Sequence, residues 1–153
     1  MSLSPEITTE DDITLVALQN CPPELSFVAD VFQMISRLGV DVDMISLTPS
    51  QGTSTSVSFT ISDYDLDKIL RFTSELHEKF HVKAIVSSGN CKISVYDSGM
   101  KNAPGVAAQV FEAAARANAD IRLITTSEID ISLLVTSADF PEALKTIKER
   151  LHK

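Results

Sequence analysis

The sequence of 153 residues is poor in the residue types on which several classes of protein depend. It has no tryptophan, two cysteines and three histidines, and its excess of acidic residues gives a net charge of −8. That charge argues against binding to nucleic acid or an anionic membrane through bulk electrostatics. No apolar run approaches the roughly 20 residues that a membrane span needs. We therefore predict a globular cytoplasmic protein that binds neither nucleic acid nor membrane.

The few cysteines and histidines are also badly placed for a metal site. Cys21 and Cys91 are too far apart for a CxxC motif or for zinc-ligand spacing, and they are expected to be reduced thiols. HEKFH at 77–81 matches the H-E-x-x-H pattern of zinc proteases. His81 falls where a predicted helix ends, so the two imidazoles are not expected to share a helix face. We predict no metal and no cofactor.

Three aspartates with calcium-loop spacing have a simpler explanation. Asp63, Asp65 and Asp67 recur at every second position, but no glycine follows at the turn and Ser74 stands where the loop needs a glutamate. Acidic residues are favourable near the positive dipole end of a helix. We therefore interpret this segment as a solvated helix start.

Apolar residues recur with helical and strand periods in regular alternation. A period near 3.6 indicates a helix, and a period of two indicates a strand. The predicted helices cover 25–38, 66–80, 105–117 and 140–151. The predicted strands cover 13–18, 40–47, 55–62, 82–86, 92–97, 119–126 and 129–136.

This alternation occurs twice along the chain. A shift of 79 positions places Val16 on Val95, and a shift of 74 places Ser58 on Ser132. The two copies predict an α+β fold of two ferredoxin-like βαββαβ units, each an antiparallel sheet with helices on one face. We place the first unit at 11–88 and the second at 89–153. The second copy lacks a fourth strand, which a strand from 5–10 is expected to supply.

Several motifs resemble those of a known family. PGVAA at 104–108 and TTSEIDIS at 125–132 lie within one longer matching stretch, 99–135. The first copy contributes ADVF (29–32), GVDVDMIS (39–46) and SVSFTIS (56–62). Together these segments resemble the tandem ACT domains in the C-terminal regulatory region of aspartokinase.

The resemblance implies a non-catalytic allosteric module that controls the synthesis of aspartate-family amino acids. Its effector would be a small amino acid of the lysine or threonine class, bound where ACT units meet. The family also implies a homodimer through the ACT units and a kinase catalytic domain, either covalently attached or separate. The alternative is an ACT-type dimerisation or assembly module that has lost effector binding.

The resemblance also places effector-binding residues at matching positions of the two copies. A helix N-terminus attracts a carboxylate, and a glycine beside it lets a ligand approach the backbone. In the first copy the predicted residues are Cys21, Pro23, Glu24, Leu25, Ser26, Phe27, Val28, Asp41, Val42 and Asp43. In the second copy they are Met100, Asn102, Ala103, Pro104, Gly105, Val106, Ala107, Asp120, Ile121, Thr126, Ser127 and Glu128.

The first copy departs from the family pattern at its predicted site. Leu25 and Ser26 stand where the family has Pro-Gly, and Leu47 stands where it often has a glutamine. Phe27 after the loop is more similar to the lysine-sensing branch than to the threonine-sensing one. The second copy keeps Pro104-Gly105 and is the better match.

Overall fold

A computed structural model describes residues 3–152, without the side chains of residues 50 and 51. Residue 153, the last of the predicted second unit, lies outside the described residues. The strands are β1 (Glu6–Cys21), β2 (Ile45–Gln51), β3 (Ser54–Ser62), β4 (Lys83–Tyr96), β5 (Ile121–Thr126) and β6 (Asp130–Thr136). The helices are α1 (Leu25–Arg37), α2 (Leu66–Phe80), α3 (Val106–Arg116) and α4 (Phe140–Leu151), with short 3₁₀ helices at Asp63–Asp65 and Ser98–Asn102.

The chain forms two compact units. The continuous unit comprises residues 12–88, and the split unit comprises the N-terminal segment up to residue 11 together with the segment from residue 89 onward. The chain passes from one unit to the other inside β1 and again inside β4. That these units are the limits of two ACT domains stays a prediction.

In the continuous unit the strand order is β2-β3-β1-β4. β3 pairs antiparallel with both β1 and β2. Val16 lies opposite Phe59 in this sheet, and both side chains are fully buried. Val31 of α1 and Ile69 of α2 belong to the same core, because both helices turn an apolar stripe toward this face of the sheet.

In the split unit the strand order is β1-β4-β6-β5, with β6 antiparallel to both β4 and β5. Ile93 and Leu133 lie opposite each other and are fully buried. α3 and α4 complete the core, and Ile7 of β1 packs against it. The helices and antiparallel strands of both units confirm the predicted α+β, ferredoxin-like fold.

Two strands are longer than the periodicity predicts. The predicted strands 82–86 and 92–97 are parts of one continuous β4, because Gly89 takes a positive φ of 71° without ending the strand. β1 likewise continues through Asp12, at φ 57°. A residue in the left-handed conformation inside a strand is typical of a β-bulge. Sequence alone suggests a turn at such positions.

The predicted strand 40–47 begins later than expected, at Ile45. Asp43 N–H donates to the Thr60 carbonyl and Thr60 N–H donates to the Met44 carbonyl, so the segment still follows β3. Met44 N–H donates to the Thr60 hydroxyl, at 2.9 Å. This side-chain bond replaces a backbone bond of the ladder, which delays the regular strand.

Within residues 3–152, no helix is long and apolar enough to cross a membrane.

Candidate functional site

The loop before α3 is held by one aspartate. Asp97 Oδ1 accepts the Gly99 N–H at 2.8 Å, and Asp97 Oδ2 accepts the Ser4 N–H at 2.9 Å. The Asp97 N–H donates to the Ile129 carbonyl at 3.0 Å, which joins the loop to the β5–β6 turn. These bonds fix the start of the short 3₁₀ helix that leads to α3.

The turn between β5 and β6 has its own hydrogen bonds. Ser127 N–H donates to the Asp130 carbonyl at 2.8 Å, and Ser127 Oγ accepts the Ile129 N–H at 3.3 Å. Thr126, the last residue of β5, pairs with Ile131 across the hairpin. The turn therefore holds its side chains at a defined place beside the α3 loop.

The loop and the turn together border a cavity of about 240 Å³ in the split unit. Nine of the twelve residues predicted for the second-copy site line it, and they come from three separate segments. The lining residues are Met100, Ala103, Pro104, Gly105, Val106, Ala107, Thr126, Ser127, Glu128 and Ile131.

Sequence reasoning missed Ile131 as a lining residue. Its alternating pattern marks it as a core residue, and it is 2% exposed. The register of the hairpin is the signal that would have found it, because Ile131 lies directly opposite the predicted Thr126.

The two sides of the cavity differ in charge: one is formed by the N-terminus of α3 and the other carries a carboxylate. Gly105 caps α3 in a left-handed conformation, at φ 98°, and has no side chain to bond the first N–H groups of the helix. The positive end of the helix dipole therefore faces this side. Glu128 supplies a carboxylate on the turn, and its Oε2 lies 3.4 Å from Lys101 Nζ. Both charged side chains are mostly exposed, so their attraction is weak.

Three predicted second-copy residues are not among those lining the cavity. Asn102 is exposed. Asp120 pairs with Arg122 at 3.0 Å, and its N–H donates to Asp139 Oδ2 at 2.9 Å. Ile121 packs against the core of the split unit.

The first-copy residues lie around the start of α1 and before β2. Glu24 is the N-cap residue of α1, but its side chain makes no capping bond. Leu25 is 72% exposed. Phe27 and Val42 pack against the core of the continuous unit. The remaining predicted residues are Pro23, Ser26, Asp41 and Asp43, which are exposed, and Val28, which is half-buried.

Cys21 is fully buried, and its Sγ lies 3.6 Å from the Leu18 carbonyl oxygen. Burial disfavours the thiolate, so it raises the pKa of the Cys21 thiol above its ordinary value of 9.0. The side chain is therefore part of the core of the continuous unit.

The two metal-like motifs have ordinary structural roles. His77 Nδ1 lies 3.2 Å from the Val82 carbonyl oxygen, and His81 caps the end of α2 at φ 60°. Asp65 pairs with Lys68 at 3.6 Å. In the part of the chain that the structure describes, no group of three or more His, Cys, Asp or Glu side chains is arranged to hold a metal ion.

Comparison with known proteins shows which proteins this chain is similar to. The sequence profile of the ACT domain matches residues 93–151. The aspartokinase of Geobacillus stearothermophilus is 32% identical over 143 residues, which is 94% of this chain and 34% of that protein. The chain therefore spans about a third of the length of the curated relatives it matches.

Solved structures give the same result. The aspartate kinase from Synechocystis has a TM-score of 0.88 and 28% identity over 95% of this chain and 26% of that one. The ligand-free regulatory subunit of aspartate kinase from Thermus thermophilus has a TM-score of 0.87 and 24% identity, covering 98% of this chain and 99% of that subunit. These comparisons confirm the resemblance to the ACT-containing regulatory part of aspartokinase.

Proposed function

Because the chain resembles the aspartokinase regulatory region along nearly its whole length, we propose that it is an allosteric module without catalytic activity of its own. It binds a small amino acid of the lysine or threonine class and thereby controls the synthesis of aspartate-family amino acids. Allosteric control requires that the amino acid bind one arrangement of the ACT units more tightly than another.

The cavity beside α3 is the observation that carries this proposal. A free amino acid has a carboxylate and an ammonium group on neighbouring atoms. The N-terminus of α3, at Val106 and Ala107, offers backbone N–H groups and a positive dipole end to the carboxylate. Glu128 offers a carboxylate to the ammonium group, which would displace Lys101 from its weak ion pair.

The proposal includes two kinds of partner. The resemblance supports a homodimer through the ACT units, with the effector held where ACT units meet. It also supports association with a kinase catalytic domain, in the same chain or a separate one. The curated relatives extend well beyond the part that this chain matches.

Calorimetric titration of the purified protein with L-lysine and L-threonine tests the proposal, with methionine and other amino acids as comparison ligands. We expect one amino acid to release or absorb heat and to raise the melting temperature in proportion to its saturation. If no amino acid gives heat or a thermal shift, the chain is not an amino-acid sensor.

A pair of variants tests where the effector binds. Glu128→Gln keeps the shape of the side chain and removes its charge, so affinity is expected to fall by about tenfold. Glu142→Gln, at an exposed position of α4, changes the net charge equally and should leave affinity unchanged. Equal affinity in both variants would place the effector elsewhere.

The second candidate function is an assembly module that holds subunits together without binding an effector. It is favoured by the start of α1, where Leu25 and Ser26 stand in place of the family's Pro-Gly and Leu25 is 72% exposed. A dimer that binds none of the amino acids tested, by heat or by thermal shift, would support this function over the first.

A further inference from the structure

The continuous unit contains a second cavity, between α1 and α2, with a volume of about 200 Å³. Val31, Phe72 and Leu76 form its floor and are almost fully buried. An apolar cavity of about 150 Å³ in another protein holds a benzene molecule. This cavity is therefore large enough for one bulky apolar side chain.

The walls of the cavity are apolar but face solvent. Met34 of α1 is 39% exposed and Phe80 of α2 is 47% exposed. The ring of Phe27 contacts the ring of Phe80 edge to face, with centroids 5.1 Å apart. A concave apolar site with exposed walls is typical of a surface that another molecule covers.

The border of the cavity is charged. Asp30 of α1 and Glu75 of α2 line it from opposite helices. Neither carboxylate has an ion-pair or hydrogen-bond partner within the described part of the chain. Lys79, one turn after Glu75, also borders the cavity. Two unpaired carboxylates beside an apolar pocket attract cationic groups and repel the carboxylate of a free amino acid.

We propose that this cavity binds a segment of a partner protein through one bulky apolar side chain flanked by Lys or Arg residues. The apolar side chain fills the pocket between the helices, and the cationic neighbours pair with Asp30 and Glu75. A single aromatic or aliphatic anchor in a desolvated pocket commonly supplies most of the affinity of such a contact. This site lies in the continuous unit and does not depend on amino-acid binding in the split unit.

Synthetic peptides test the proposal with the full chain. The probe is a fluorescently labelled 12-residue peptide with a central Phe, a Lys on each side and otherwise Ala, Ser and Gly. One matched peptide replaces Phe by Ala, and another replaces both Lys by Glu. We expect the probe to bind with at least about tenfold higher affinity than either matched peptide in fluorescence anisotropy.

Variants of the protein locate the binding site. The double variant Asp30→Asn, Glu75→Gln is expected to weaken probe binding by about tenfold, because it removes both border charges. Glu78→Gln removes one charge at an exposed position of α2 that does not line the cavity, and this variant should bind like the unaltered chain. Met34→Lys, on an exposed wall, should abolish binding while the melting temperature stays close to that of the unaltered chain.

Three results would overturn the proposal. In the first, the probe does not bind, or the Ala peptide binds as tightly as the Phe peptide. In the second, the double variant binds the probe as well as Glu78→Gln does. In the third, the chain self-associates in sedimentation and Met34→Lys abolishes that association, which would make a second copy of the chain the occupant.

Discussion

At the scale of single residues, Gly105 shows why a glycine stands at the start of α3. Its φ of 98° lies in the left-handed region, where a side chain strains the backbone. A Cβ built at this position would meet no atom within 4 Å. The glycine is therefore required by backbone conformation, and the space beside it is open to a ligand.

Gly105→Ala is expected to lower the free energy of unfolding by about 1 kcal/mol, because backbone strain exceeds the gain from a less flexible unfolded chain. Gly105→Asn should cost less, since asparagine tolerates the left-handed region better. Urea denaturation of the two variants measures the difference. Equal stability of Gly105→Ala and the unaltered chain would contradict this account of the cap.

Cys21 gives a prediction about pH. Burial raises the pKa of its thiol above 9.0, so the unfolded chain releases this proton at lower pH than the folded chain. The contribution of Cys21 to stability is therefore complete below pH 9 and is lost as the pH rises toward the folded-state pKa. Between pH 7 and pH 10, the unaltered chain should lose more stability than Cys21→Ala. Parallel losses in urea denaturation would show that the thiol does not ionise on unfolding.

At the scale of elements, α3 packs closely against α4 because its buried face is made of small residues. Ala113 and Ala114 are 1% exposed, and Ala143 of α4 is fully buried. α1 in the continuous unit has larger side chains, such as Phe27 and Met34, and a cavity remains beside it. The difference in side-chain volume accompanies a difference in helix packing between the two units.

Ala114→Leu should therefore destabilise the split unit by about 1–3 kcal/mol, because the added volume has no space to enter. Ala115→Leu adds the same atoms at an exposed position of the same helix and should change stability by less than about 0.5 kcal/mol. Chemical denaturation of both variants measures the difference. Equal effects would mean that the α3–α4 contact tolerates larger side chains.

The segment of β1 before Asp12 gives a second prediction for the split unit. Ile7 packs against its core, whereas Thr8 is exposed. Ile7→Ala should cost about 1–2 kcal/mol and reduce hydrogen-exchange protection in α3 and β6. Thr8→Ala should do neither. Loss of protection confined to α1 and α2 would contradict the membership of this segment in the split unit.

Elements with a strong helical period were predictable from the sequence almost to the residue. α2 and α4 begin and end where the apolar stripe does, at 66–80 and 140–151. The strands were less predictable, because Asp12 and Gly89 look like turn residues but lie within continuous strands. The start of β2 depends on the hydroxyl of Thr60, a contact between distant residues that no local pattern reveals.

The candidate site could be predicted from the sequence only in part. Spacing and the family resemblance singled out both the PGV loop and the TSE turn, which line the same cavity. Neither source indicates that Asp120 pairs with Arg122 instead, because that depends on the direction of side chains at the strand end. The cavity between α1 and α2 was not predicted, since it arises from helix spacing.

At the scale of the whole molecule, assembly into a homodimer should make the melting temperature depend on protein concentration. If the chain is a homodimer, dissociation accompanies unfolding, and the melting temperature rises with protein concentration by mass action. Calorimetric melts over a hundredfold concentration range measure this rise. A melting temperature that stays constant over that range would contradict the proposed homodimer.

The two crossings of the chain inside β1 and β4 have a consequence for protein engineering. Thr14 Oγ1 and Ser88 Oγ are 3.0 Å apart, so the two ends of the continuous unit lie side by side. Adjacent ends are what allow a domain to be inserted into another or removed from it. The continuous unit can therefore be treated as one exchangeable segment. Two recombination points, at 11/12 and 88/89, define the segment that would be exchanged, and the segments on either side of it would stay intact.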